Sequence, residues 1–140
     1  RMQKALTLKI ELPKLPDIEL VAIEGLERLA RAMGAPAEKV AEARLVVTEA
    51  IINGLEHAGE ENPRVDVEFT MTKKELTIFV RDYGTGFDPD TVEKPKIAKK
   101  LAGESHKRGW GLQIMRSMSD DFRIDSNHGG TRIKITKLLS

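Results

Sequence analysis

The sequence predicts an α+β two-layer sandwich, a mainly antiparallel mixed sheet with helices on one face. Three observations predict it. Residues 5–12, 64–71 and 131–138 alternate apolar with polar side chains, the period of half-buried strands. Residues 64–71 and 76–80 are joined only by Thr72-Lys73-Lys74-Glu75, a connection that makes an antiparallel hairpin and excludes a doubly wound parallel sheet. Between the first strand and that hairpin, apolar residues recur at helical spacing over two long segments.

Each element has a local cause. In residues 5–12, Leu6, Leu8, Ile10 and Leu12 share one side of a strand, which Pro13 and Pro16 end. Asp17 is placed to cap the next helix. Its apolar positions Val21, Ile23, Leu26, Leu29, Ala30 and Met33 keep a helical period, and Gly34 closes it. Residues 36–58 form one long helix, with Pro36 and Glu38 suited to the first turn. Glu60-Glu61-Asn62-Pro63 is a turn, the hairpin follows, and its second strand runs into Arg81-Asp82. From Phe87 to Arg108 periodicity lapses. Connections of this length are functional covers or disordered segments. Residues 94–108 hold six Lys or Arg and one acidic residue, Glu104, which suits either a solvated charge run or a basic cover over an anionic ligand. Gly109-Trp110-Gly111 opens a helix over residues 112–118, and residues 121–125 and 131–138 are the last strands, joined by Ser126-Asn127-His128-Gly129-Gly130. With no repeat and no linker, residues 1–140 are expected to form a single domain with a lid at about 88–108.

Composition narrows the function. A chain of 140 residues with 40% hydrophobic and 32% charged residues is globular and the size of one ordinary domain. Aromatics are 4%, so the core must rest on aliphatic side chains and Met. A net charge of +1 gives no global electrostatic footprint for nucleic acid. The chain lacks Cys, which excludes disulfides, thiolate metal sites and Cys nucleophiles and fits a reducing cytosol. No apolar run approaches the roughly 20 residues that span a bilayer, and no signal peptide is visible, so a cytoplasmic protein without membrane contact is expected. Arg1 ahead of Met2 leaves the native start open.

Three stretches carry candidate chemistry. In the long helix, Glu49, Asn53 and His57 are four apart and form one polar stripe. Lining a site, the stripe offers Glu49 as a general base and Asn53 as a metal ligand; alternatively it is a solvated face, which Glu38, Glu42 and Glu56 share. Asp82-Tyr83-Gly84-Thr85-Gly86-Phe87 ends a strand. An Asp there can accept a hydrogen bond from an amino group such as that of adenine, and Gly84 and Gly86 permit a sharp turn close to a ligand; a plain turn uses the same residues. Arg108-Gly109-Trp110-Gly111-Leu112 begins a helix, whose free N–H groups suit phosphate, or is a hinge. Without Gly-Lys-Ser/Thr it is no P-loop, and the spacing is not that of a dinucleotide fold.

In combination and in this order, Glu-x3-Asn-x3-His-Ala, Asp-x-Gly-x-Gly-Phe, a lid, and Arg-Gly-x-Gly-Leu resemble the ATP-binding (Bergerat, or GHKL) fold of the gyrase, heat-shock chaperone, histidine kinase and MutL superfamily. The short chain and Val47-Thr48-Glu49-Ala50 are similar to the anti-sigma-factor serine kinases of the RsbW and SpoIIAB type, and the resemblance runs to Gly130-Thr131-Arg132 and beyond. It implies ATP and Mg²⁺ as cofactors, Asn53 as the metal ligand and Glu49 as the general base toward a Ser or Thr hydroxyl. Asp82 is implied as the adenine-reading carboxylate, Gly84 and Gly86 as the turn beneath the base, and Thr131 as its support. Arg108, Gly109, Trp110, Gly111 and Leu112 are implied as the phosphate-contacting box, and His57 matches in type. Gly54 departs from the pattern where Ala is expected and costs the helix about 1 kcal/mol, which a close helix–strand contact would explain.

The activity so implied is phosphorylation of a STAS-type antagonist by a homodimeric kinase that also sequesters a sigma factor or an equivalent regulatory partner. Other readings are the catalytic domain of a histidine kinase, a module of a larger phosphatase–kinase regulator, and a nucleotide-gated binding module without phosphotransfer.

Overall fold

The structure, a computed structural model, describes residues 4–86, 88–91 and 107–140. Strand β1 (Leu6–Pro13) is followed by helices α1 (Glu19–Met33) and α2 (Ala37–Glu56) and strands β2 (Arg64–Met71) and β3 (Glu75–Asp82). A 3-10 turn (Pro89–Thr91), helix α3 (Lys107–Ser117) and strands β4 (Asp121–Asn127) and β5 (Gly130–Leu138) complete the order. The strands lie in the order β1-β2-β3-β5-β4, and every pairing is antiparallel. The expected α+β sandwich is therefore present, with a sheet that is antiparallel throughout its described strands.

Register follows from the alternation. Leu8 pairs with Phe69, Phe69 with Ile78, Ile78 with Ile135 and Ile135 with Phe122, an apolar row across all five strands. Phe69, Ile78 and Ile135 are fully buried, and a slip of one residue would turn this row to solvent. The helices cover that face through Leu26 of α1, Val47 and Ile51 of α2 and Met115 of α3. Full burial of one such side chain contributes about 1.5–3 kcal/mol. The opposite face carries Arg64, Asp66 and Arg81, which alternate with the core positions.

Several boundaries differ from those the sequence suggests. Asp17 does not cap α1 through its side chain. It sits at φ 61, Ile18 holds the cap position, and the Asp17 carbonyl accepts the Leu20 N–H at 3.1 Å. Asp is one of the few residues that tolerate a left-handed conformation. Gly34 closes α1 as expected, at φ 68 with its N–H directed to the carbonyls of Ala30 and Arg31. Pro36 stands just outside α2, because its ψ of 134 is extended although its φ suits a helix. At the other end His57 is the cap at φ −107, so His57 and Ala58 leave the helix. Helix α3 begins at Lys107, so Gly109, Trp110 and Gly111 lie within it rather than before it.

The β4–β5 turn spans His128 and Gly129, and the Asn127 Oδ1 accepts the Gly129 N–H at 2.7 Å. Gly130, at φ 123, follows it where a Cβ would lie 2.1 Å from the Asp82 carbonyl oxygen. Gly130→Ala is therefore expected to cost at least about 2 kcal/mol. Urea unfolding followed by circular dichroism measures it, and an unchanged midpoint would show that the hairpin moves aside freely.

Candidate functional site

The site begins where α2 meets the ends of β2 and β3. At Gly54 a Cβ would lie 3.0 Å from Val65 Cγ2 and 3.6 Å from Asp82 Cβ. The missing side chain seats the helix on both strands, the close contact anticipated for a glycine unfavourable to the helix itself. This seat fixes Asn53, the preceding residue, near the tip of β3.

Asn53 is 7% exposed, and its Oδ1 is buried without a hydrogen-bond partner. An acceptor left in that state costs about 1–3 kcal/mol, and native structures hold few of them. Glu49, one turn earlier, is partly buried. Helix α3 crosses above the pair, and a Cβ on Gly111 would lie 3.2 Å from Glu49 Oε2 and 3.7 Å from Asn53 Nδ2. Any larger residue there would press on the carboxylate and the amide. The stripe on α2 is thus partly covered by a backbone segment and is no open solvated face.

Asp82 is 5% exposed at the end of β3. Its Oδ1 accepts the N–H of Gly84 at 3.0 Å and that of Thr131 at 3.2 Å. One carboxylate oxygen thereby holds the turn after its own strand and the start of β5. A carboxylate is an acceptor-only group with about four acceptor positions. Thr131 is buried, and its Oγ1 lies 2.7 Å from the Ser126 Oγ. Gly84 packs under α2, where a Cβ would be 1.9 Å from the His57 carbonyl oxygen. Gly86, at φ 79, meets the Asn127 carbonyl in the same way, 2.0 Å from where its Cβ would be. An open recess of about 520 Å³ adjoins this corner, lined in part by Gly86, Asp88, Ser126 and His128.

The structure brings Glu49, Asn53, Asp82, Gly84, Gly86, Gly111 and Thr131 into one connected region. His57 is exposed and off the helix, and its backbone meets Gly84, so the three-residue stripe ends at Asn53. Leu112 is buried in the hydrophobic core. Trp110 is partly buried in the second turn of α3. Arg108 and Gly109 belong to the first turn of α3, while the Arg108 side chain and most of the expected lid lie outside the described residues.

Sequence reasoning missed Tyr83. The guanidinium groups of Arg64 and Arg81 both lie over its ring, with Cζ atoms 4.7 and 4.6 Å from the ring centre. Its hydroxyl donates to Asp66 and accepts from Arg64. The Tyr83 hydrogen bond, together with Asp66, holds the Arg64 guanidinium above its ordinary pKa against a smaller opposing effect of desolvation. This clamp anchors the peptide between Asp82 and Gly84 from the far side of the sheet. The signal available was that positions 64, 66 and 81 share the polar face of a predicted hairpin.

The profile of the histidine kinase-like ATPase domain family matches residues 13–137. The serine-protein kinase RsbW of Bacillus subtilis (strain 168) is 26% identical over 138 residues, which cover 95% of this chain and 86% of that protein. The anti-sigma F factor of the same organism is 34% identical over 107 residues, covering 74% of this chain and 72% of the relative. Among solved structures, the RsbU and RsbW domains of a Mycobacterium tuberculosis protein share the fold, with a TM-score of 0.69 and 19% identity. That similarity covers 95% of this chain and 32% of the other.

The orphaned amide oxygen of Asn53 is held at some expense to stability. Asn53→Leu, close in volume and without the acceptor, is expected to stabilise the protein without added ligand by about 1 kcal/mol. Chemical denaturation measures this, and a loss of similar size would mean that the amide supports the fold.

Proposed function

We propose that this chain, which belongs to the histidine kinase-like ATPase domain family, is an ATP-dependent protein serine/threonine kinase and an anti-sigma factor or partner-switching regulator. Its substrate is a STAS-type antagonist, and its second partner is a sigma factor or an equivalent regulator. The observation that carries this reading is the placement of Glu49 and Asn53 beneath Gly111, with Asp82 buried against Gly54, the residue after Asn53. The curated relatives named serine-protein kinase support the choice of a hydroxyl acceptor.

ATP is the substrate whose adenine amino group Asp82 would receive, with Thr131 and the Gly84–Gly86 turn shaping the pocket. The buried Oδ1 of Asn53 suits Mg²⁺, a hard cation that keeps most of its waters and needs few protein oxygens. Among the described residues no three His, Cys, Asp or Glu side chains form a metal cluster, so Asn53 would hold the ion together with phosphate oxygens. Bound there, the ion would neutralise charge on the phosphates. The backbone of α3 at Gly109 and Gly111 would approach the phosphate chain, which no larger residue at position 111 would permit.

In the transfer, the substrate hydroxyl oxygen forms a bond to the γ-phosphorus. The bond from that phosphorus to the bridging oxygen breaks, and ADP leaves with the electron pair. Glu49 accepts the hydroxyl proton. Among the described residues no helix is long and apolar enough to cross a membrane. We place the protein in the cytoplasm, as a homodimer without direct nucleic-acid contact.

Labelled ATP, Mg²⁺ and candidate STAS proteins test the reading. Glu49→Ala is expected to bind ATP as the parent does and to lose phosphotransfer by at least about 100-fold. Equal transfer by both proteins would remove Glu49 from the chemistry, and phosphate trapped on a histidine would favour the histidine-kinase reading. Asp82→Asn keeps an acceptor for Gly84 and Thr131 but replaces the other oxygen with an amide donor. It is expected to weaken adenine nucleotides by at least about tenfold, and an unchanged ATP affinity by calorimetry would count against the pocket.

A further inference from the structure

We propose that Lys137 is a positioning residue for the phosphate end of this site, because its buried ammonium ties the C-terminal end of α3 to α2. The proposal rests on the functional reading above. Lys137 is 2% exposed and follows Ile133 and Ile135 on the helix-facing side of β5. Its Nζ donates to the Met118 carbonyl at 2.5 Å and lies 3.5 Å from Glu42 Oε2. A fully buried lysine is rare and is found only when paired. Removing an ammonium from water costs several kcal/mol, and an apolar residue of similar size is often as stable or more so. The chain thus places a cation where packing alone favours continuing the Ile133–Ile135 row.

What the ammonium holds is specific. Met118 follows the last turn of α3, where exposed carbonyls carry partial negative charge. Glu42 stands on α2, the helix that carries Glu49 and Asn53. The two helices therefore meet at two places, a close packing of Gly111 on Glu49 and Asn53, and a polar tie from Met118 through Lys137 to Glu42. Gly111 and Met118 are seven residues apart, as are Glu42 and Glu49. The two places are thus separated by about 10 Å along both rods.

Helix α3 has 11 residues and is about 16 Å long. A tilt of about 4° at the Lys137 end would move the opposite end by about 1 Å, a displacement large enough to spoil catalytic geometry. Lys137 touches neither nucleotide nor substrate in this reading. It sets the angle at which α3 presents its glycines to the phosphates.

Lys137→Met keeps the length and removes the charge. ATP and AMP affinities measured by calorimetry, with thermal unfolding alongside, test the proposal. Lys137→Met is expected to bind ATP about tenfold more weakly, with AMP affinity unchanged, because AMP reaches the Asp82 end but not α3. Glu42→Gln is expected to show a smaller loss, about twofold to threefold, with the same selectivity for ATP. Equal losses for ATP and AMP, or an unchanged ATP affinity in a folded Lys137→Met protein, would overturn it. If Lys137→Met does not fold, Glu42→Gln decides alone: a loss selective for ATP supports the tie, and none refutes it. A parent protein that does not prefer ATP to AMP would instead overturn the functional reading, and this proposal with it.

Discussion

How closely α2 can lie on the ends of β2 and β3 determines the rest of the site. Gly54 sets that distance, with Val65 and Asp82 directly against the space where a side chain would stand. Because the helix is rigid, one close contact fixes Asn53 beside the strand tip and Glu49 one turn back. The same contact makes Asp82 a buried group, and burial obliges its carboxylate to be satisfied. Gly84 and Thr131 supply the donors, from the turn after β3 and from the start of β5. Packing at one glycine thus propagates into the hydrogen bonding of a carboxylate and then into the geometry of two chain segments.

Much of this was legible in the residues. The alternation of Val65, Val67, Phe69 and Met71 locates β2 at its observed bounds, because a half-buried strand must keep a period of two. Gly54 was legible as an anomaly, a poor helix former inside a strong helical pattern. Its cause needed the partner across the contact. The ends of α2 were less legible. Proline restricts φ and leaves ψ open, so Pro36 suits a first turn and yet stands before it. At the other end no local signal separates His57 from the helix, because the bend follows from packing on Gly84.

Contacts between side chains distant in the chain were the least legible part. Tyr83 reads as a loop residue until the register of β2 and β3 places Arg64, Asp66 and Arg81 around it. Lys137 reads as one more cation in an alternating strand, since alternation reports which face a residue occupies and not what lies above it. Glycine marks helix ends more often than interiors, so the sequence alone places the start of α3 at Gly109-Trp110-Gly111. Here Gly111 lies inside the helix because another helix needs the space its side chain would fill.

The sheet order has a thermodynamic corollary. Strands β2 and β3 pair as a hairpin, whereas β5 reaches β3 from far along the chain, with Arg81 opposite Arg132. Asp82 draws one backbone donor from each side of that junction. If the proposed nucleotide binds at Asp82, it would favour the state in which β5 is docked, and by mass action its binding free energy would be added to that strand pairing. Local opening of the β4–β5 hairpin and release of the ligand would then be coupled equilibria. The edge of the sheet would report on nucleotide occupancy without touching the nucleotide.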